Sequence, residues 1–219
     1  MNRKILGVII SLILTTLACT CNVLPSLTGP KASPVPSNVI FQDDFSDPDS
    51  GWEVGRYDDG SVGYKSGVYS VTSLSNGNTM WGVANRTFDN IVIEVDATQV
   101  AAGPESDNDY GVICREQGNG NGYYLLLSGD GYYAIIKARD DEFYYLVDWT
   151  ETEAIHKGNA TNHIRAVCNG TSLELSVNGE FLAGTEDDTF ASGDIALTAT
   201  TYEDAATEIH FDNLVVSRP

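Results

Sequence analysis

The stretch over residues 122–139, GYYLLLSGDGYYAIIKAR, constrains the fold more than any other part of the chain. Two apolar, ring-rich runs flank Asp130-Gly131, and Asp-Gly between such runs is among the strongest short-range hairpin signals. A two-residue turn there sets Leu127 against Ala134, Leu125 against Ile136 and Tyr123 against Ala138 on one side of the ribbon. The other side then carries Ser128 with Tyr133, Leu126 with Ile135 and Tyr124 with Lys137. The first side is apolar enough to be core. The second mixes rings with a hydroxyl and an ammonium, as a sheet does when its outer face meets something wet.

The same pattern recurs along the chain. Further strand-like runs are expected over 39–41, 67–73, 81–86, 91–99, 110–116, 143–149, 162–169, 172–177, 180–184, 193–199 and 208–217. Turn chemistry separates them, as in QGNGNG over 117–122, Asn169-Gly170 and Asn178-Gly179. No segment keeps a helical apolar period for three turns. Many short strands with frequent turns predict an all-β fold, a two-sheet antiparallel jelly-roll sandwich.

The amino terminus sets the expected compartment. Asn2-Arg3-Lys4 is a short basic region, and 5–17 is an apolar run of secretory length, too short to span a bilayer comfortably. It ends in Thr16-Leu17-Ala18-Cys19, which resembles the lipobox of bacterial lipoproteins, with Thr16 where that motif usually has Leu. The resemblance implies a signal peptide over 1–18 and lipidation of Cys19; an ordinary signal peptide cut nearby is the other reading. Residues 19–38, rich in Pro, Ser and Thr, have the composition of a semi-rigid tether, with the folded domain over 39–219. Either leader exports the domain to the cell surface or a periplasm-facing membrane. There Cys114 and Cys168, each ending a predicted strand, can close a disulfide or pack as two small buried thiols. A formal charge of −19 disfavours nucleic acid and anionic lipid, so the lipid anchor is the expected membrane contact. Neutral sugars, cations and basic proteins remain compatible partners.

The order of signatures is FQDDFSDPDSGW, YGVICR, YYLLLSGDGYYAIIK, NHIRAVCNGTSLELSVNGEFL, then GDIALTA and IHFDNLVV. It resembles the concanavalin A-like lectin/glucanase superfamily, in particular its laminin-G-like and 3-keto-disaccharide-hydrolase-like jelly rolls. The resemblance covers roughly residues 39–218. It implies two stacked antiparallel sheets, one of them concave, with the first and last strands paired. The fold hosts lectins, glycosidases and adhesion modules, so carbohydrate contact is implied without a particular chemistry.

Glycoside hydrolysis needs two carboxylates flanking the scissile bond. Family 16 glycoside hydrolases on this fold carry a Glu-x-Asp-x-(x)-Glu strand. The run Glu94-Val95-Asp96-Ala97-Thr98-Gln99 resembles it up to the last position, where Gln99 replaces the acid/base. An amide cannot donate and retake a proton, so a strand with an acidic outer face is the plainer reading and no catalytic residue is expected. Sugar recognition instead uses rings beside hydrogen-bonding groups. The candidates are Tyr124, Tyr133 and Lys137 on one hairpin face, with Arg115 on the neighbouring strand. Tyr144 and Asp148 on one face of 143–149, and Trp81 and Trp149 at strand ends, complete the set; completing the core is the alternative for these rings. Asp43, Asp44 and Asp47 could meet Asp212 around a structural calcium if the first and last strands pair, or could be solvated turn acids. The expected function is a non-catalytic, carbohydrate-binding surface module. A structural or adhesive protein recognising protein partners or itself is the alternative, and a sugar hydrolase the third.

Overall fold

In the computed structural model, which describes residues 38–74 and 76–219, the central hairpin forms with a longer turn than Asp-Gly alone suggests. Ser128 N–H donates to Tyr132 O at 2.7 Å and Gly131 N–H to Ser128 O at 3.0 Å. The loop is therefore Gly129-Asp130-Gly131, with Gly131 at φ 102°, a three-residue solution that ends on glycine. Leu127 pairs with Tyr133 and Leu125 with Ile135, and a one-residue slip turns the whole second arm over. Tyr133 and Ile135 enter the core, while Ala134, Ile136 and Ala138 face outward, which corrects the register expected above. The cause is tertiary. Gly129 lies so close to Gln99 and Asn108 that a Cβ would come 2.3 Å from Gln99 Oε1, and its N–H donates to Asn108 Oδ1.

Fifteen strands make up the described residues. They run β1 (Val39–Asp43), β2 (Gly55–Tyr57), β3 (Gly60–Lys65), β4 (Val68–Ser73) and β5 (Thr79–Val83). Next come β6 (Ile91–Ala101), β7 (Asn108–Glu116), β8 (Gly122–Leu127), β9 (Tyr132–Arg139) and β10 (Glu142–Glu151). The last are β11 (Thr161–Asn169), β12 (Ser172–Val177), β13 (Glu180–Glu186), β14 (Asp194–Thr201) and β15 (Thr207–Ser217). Both sheets are antiparallel. One, of nine strands, has the order β13-β12-β11-β6-β15-β4-β3-β2, with β1 added on β15; the other, of six, runs β10-β9-β8-β7-β14-β5. The first and last strands pair, Asp43 against Leu214. β15 takes β4 along Thr207 to Phe211 and β1 along Leu214 to Ser217, and its register breaks near Asn213, at φ 54°. β2 is short and polar and β3 alternates only through Val62 and Tyr64, and both escaped the sequence reading; a hairpin turn at Asp58-Asp59 joins them.

The main core lies between the sheets. It takes Ile93, Val95, Ile164 and Phe211 from one side and Val112, Leu125, Ile135 and Leu197 from the other. Cys114 of β7 and Cys168 of β11 are joined through it, with Cα atoms 6.8 Å apart, so a disulfide pins one sheet to the other. At one end Phe45 and Trp52 of the opening signature meet Tyr64 and Tyr69 in tilted and edge-on ring contacts. The leader, Cys19 and the tether up to residue 37 lie outside the described residues.

Candidate functional site

The two outer faces differ, and the difference locates the candidate site. On the six-stranded sheet, residues that alternation turns away from the core form a second apolar cluster of Ile113, Tyr124, Leu126, Ala134, Ile136, Ala138 and Ala196. Trp81, from the edge strand β5, and Trp149, from the opposite edge strand β10, pack against it. Phe143 meets Tyr124 edge-on at 6.1 Å and is 56% exposed, so part of this aromatic surface is open to solvent.

Beside Trp81 this face runs into a cleft of about 730 Å³ lined by Glu53, Tyr57, Asp59, Asn85 and Glu116 among others, with no Lys, Arg or His. Glu116 reaches it because β7 bulges. Cys114 pairs with Ile195 and Glu116 with Asp194, so Arg115 is the extra residue and the side chain after it is re-aimed. Both Glu116 carboxylate oxygens accept main-chain N–H groups, from Gly118 and Gly120, each at 2.7 Å. Gly120 (φ 82°) also lies under the Trp81 ring, which a Cβ would approach to 3.2 Å, and its carbonyl accepts the Tyr124 hydroxyl at 2.7 Å. The glycine loop thus ties carboxylate, indole and phenol together. Glu53 accepts the Tyr57 hydroxyl at 2.5 Å.

At the other end of β7, Asp109 is 4% exposed and accepts the Tyr202 hydroxyl at 2.7 Å. Burial pushes its pKa up to about 6 against the hydrogen bonds from Tyr202 and Thr200 that hold it down. Nearby, Trp149 and Tyr202 line a small recess of about 140 Å³. Asp109 and Glu116 stand seven residues apart on one strand, roughly 20 Å, too far to act as a hydrolytic pair.

Of the residues singled out in the sequence, Trp81, Tyr124 and Trp149 share this face. Tyr133 and Lys137 do not, because of the longer turn. Tyr133 is buried in the main core, and Lys137 donates to Asp187 at 2.6 Å and Thr189 at 3.0 Å on the inner side of the sheet. Burial opposes the Asp187 charge, but hydrogen bonds from Lys137, Thr189 and Tyr123 hold its pKa well below the carboxylate range. Arg115 is likewise turned between the sheets. Tyr144 sits over Lys137, 5.4 Å from ring centre to Nζ, whereas Asp148 is exposed beyond two register breaks in β10, so the two do not follow one alternation.

Glu94 and Asp96 lie on the outer face of the nine-stranded sheet, where Asp96 meets His163 Nδ1 at 2.7 Å. Gln99 is buried and accepts from Asn108 at 3.0 Å. Asp43 and Asp44 line a recess with Asn213, without Asp47 or Asp212. Their oxygens accept from Phe45 and Ser50, and from Ser46, while Asp47 and Asp212 accept from Asp49 and Asn213. Among the described residues no three His, Cys, Asp or Glu are grouped to hold a metal ion. The sequence reading missed Glu53, Tyr57 and Glu116. For Glu116 a signal existed: a carboxylate directly before QGNGNG is placed to cap the N–H groups of a glycine loop.

Together, the two stacked antiparallel sheets and their strand order define a two-sheet jelly roll of the concanavalin A-like fold. No protein-family model matches the chain, and no curated protein matches it by sequence. Among solved structures, it is similar to the carbohydrate binding module CBM66 from Bacillus subtilis, with TM-score 0.60 and 16% identity over 77% of this chain and 96% of that one. It is also similar to the β-glucanase of Bacillus licheniformis, with TM-score 0.59 and 10% identity over 82% of this chain and 98% of that one. The carbohydrate recognition domain of Emp47p follows at TM-score 0.56 and 12% identity, over 85% and 99% of the two chains. At such identities the likeness is one of fold, and it spans both binding domains and an enzyme.

Proposed function

We propose that this protein is a non-catalytic carbohydrate-binding module that holds its ligand on the outer face of the six-stranded sheet, beginning at the Trp81 cleft. The observation that carries the reading is an apolar sheet face bearing Trp81, Tyr124, Phe143 and Trp149 that opens into a cleft of carboxylates. A sugar offers the same two surfaces, a C–H face for an indole and hydroxyls for fixed acceptors. Catalysis fits the site less well. Of the two carboxylates whose pKa burial raises, Asp109 is at the far end of β7 and Asp194, beside Glu116, accepts main-chain N–H groups from Arg86 and Ile195, while Glu116 in the cleft spends both oxygens on main-chain N–H groups. The fold neighbours named for carbohydrate binding or recognition are compatible with this reading.

The buried disulfide supports an exported location, since such bonds persist outside the cytoplasm. With the leader sequence it favours a surface protein held by lipid at Cys19. A protein-binding, adhesive role has one observation in its favour: Phe143, Tyr144 and Tyr145 are all exposed on the edge strand β10.

A glycan array probed with the protein and with a folded Trp81→Ala/Trp149→Ala variant tests the proposal. Binding by the first that is lost in the second is the expected result. Absence of binding across a broad array, or equal binding by both, would overturn it.

A further inference from the structure

The side chains of the Trp81 cleft have more hydrogen-bond acceptors to offer than donors. The Tyr57 hydroxyl is already spent on Glu53 at 2.5 Å, and the Asn85 amide donates to Gly51 O at 2.8 Å. The Thr79 hydroxyl is paired with that of Thr200 at 2.9 Å. Glu53 and Glu116 bring carboxylate oxygens, which only accept. Two rings stand beside them, the half-buried Trp81 and Tyr57, which is 49% exposed.

The two glutamates also carry charge that no neighbour cancels. The ion pairs of the described residues join Lys65, Lys137, Arg139, Lys157, His163 and His210 to other acids, and no Lys, Arg or His lines the cleft. The N–H groups of Gly118 and Gly120 fix the Glu116 carboxylate in place without bringing a net positive charge. A cleft walled by one sign of charge focuses the field and gathers counter-ions, here on a chain of formal charge −19.

We propose that this cleft selects sugars with a free, protonated amine over neutral, N-acetylated and acidic ones. The inference rests on the carbohydrate-binding reading above and names the sugar class that the site takes. An ammonium has three donors and no acceptor, which matches an acceptor-rich lining. A hydroxyl or an N-acetyl group adds an acceptor that finds few donors there, and a uronate sets a carboxylate against carboxylates. The ring faces of Trp81 and Tyr57 attract a cation as well, and an indole packs on the C–H face of the pyranose that carries it. Rings and acids together therefore ask for one ligand that is both a sugar and a cation.

The test is a titration of the ¹⁵N-labelled protein at mildly acidic pH and low salt, followed at the Trp81 indole N–H. The probes are linear tetramers of glucosamine, N-acetylglucosamine, glucose and galacturonate, with spermidine as a cation that has no sugar ring. We expect the glucosamine tetramer to bind on the order of tenfold tighter than the acetylated and neutral ones, the worth of one charge-assisted hydrogen bond. The galacturonate tetramer should not bind, and the preference should shrink as salt is raised. Glu53→Gln keeps the shape of the side chain and an oxygen for Tyr57, and should remove most of the preference. Glu174→Gln, the same charge change on the outer face of the other sheet, should leave it intact. If the neutral tetramers bind as tightly as the glucosamine one, or the two substitutions act alike, the inference fails while the carbohydrate-binding reading stands. Spermidine binding as tightly as the glucosamine tetramer would make the cleft a general cation site and overturn the inference too. A Trp81 signal that no oligosaccharide moves overturns both.

Discussion

The outer faces of the two sheets solve the same problem in opposite ways. On the nine-stranded sheet many outward positions are polar and pair with one another: Asp96 with His163, Glu208 with Lys65 and His210, and Thr98 with Thr161. On the six-stranded sheet the outward positions of β7, β8 and β9 are Ile113, Leu126, Ala134 and Ile136, all buried under larger side chains. The rings of Trp81 and Trp149 pack against these positions, and Phe143 beside Tyr124 is the part left open to solvent on the face proposed above to hold a ligand. Two sheets that share one core and one disulfide therefore differ in what their outer faces carry.

Removing what the faces share gives the largest expected effect. Replacing Cys114 and Cys168 together by Ala frees a 54-residue separation and should cost about 4 kcal/mol of stability by the loop-entropy relation. In the folded fraction, glycan affinity should be unchanged, as read by denaturant unfolding beside a binding assay. Next, Leu126→Ala should cost about 2–4 kcal/mol although it lies outside the main core, whereas the outward Glu174→Ala on the other sheet should stay within about 0.5 kcal/mol. Equal costs in chemical denaturation would erase the distinction between the faces.

Two carboxylates give stability opposite dependences on pH. The folded-state pKa of Asp109 is about 6, above the ordinary 3.8, so the folded protein binds the proton more tightly than the unfolded chain. Stability from this group is present at low pH and is lost as pH rises from about 4 to about 6. Asp109→Asn should remove that loss and gain on the order of 2 kcal/mol at neutral pH relative to the parent, visible as a difference in Tm that grows across the window. Asp187 acts with the opposite sign. Its pKa is depressed, so its contribution is present at neutral pH and fades as pH falls below the ordinary carboxylate range. The smallest effect is functional: Trp81→Ala should weaken glycan binding by about tenfold with little change in Tm, while His163→Ala on the opposite face leaves binding untouched.

The sequence made the sandwich legible because alternation and turn chemistry are local. The hairpin over 122–139, the Asn178-Gly179 turn and the pairing of the end strands all follow from patterns a few residues long, or from the order of such patterns. The site was legible only in part. Trp81, Tyr124 and Trp149 were candidates by residue type, and it is the folding of β5, β8 and β10 into one sheet that brings them to one face. Tyr133 and Lys137 were misplaced because the turn length depends on Gly129 packing against Gln99 and Asn108, contacts 30 and 21 residues away in the chain. Arg115 and Glu116 depend on a bulge, which no local composition announces. Glu53 and Tyr57 join the cleft through β2 and its approach, a segment too short and polar to read as a strand.

The most direct test of the account uses the three tryptophans. Trp52 is buried in the end cluster, while Trp81 and Trp149 sit on the outer face of the six-stranded sheet. The indole N–H resonances are followed while the protein is titrated with the tightest-binding glycan from the array. The account predicts that the Trp81 signal shifts saturably, with Trp149 following for longer glycans, and that Trp52 stays still. Saturable binding that leaves Trp81 and Trp149 unmoved while the His163 ring signals shift would place the ligand on the other sheet and contradict it.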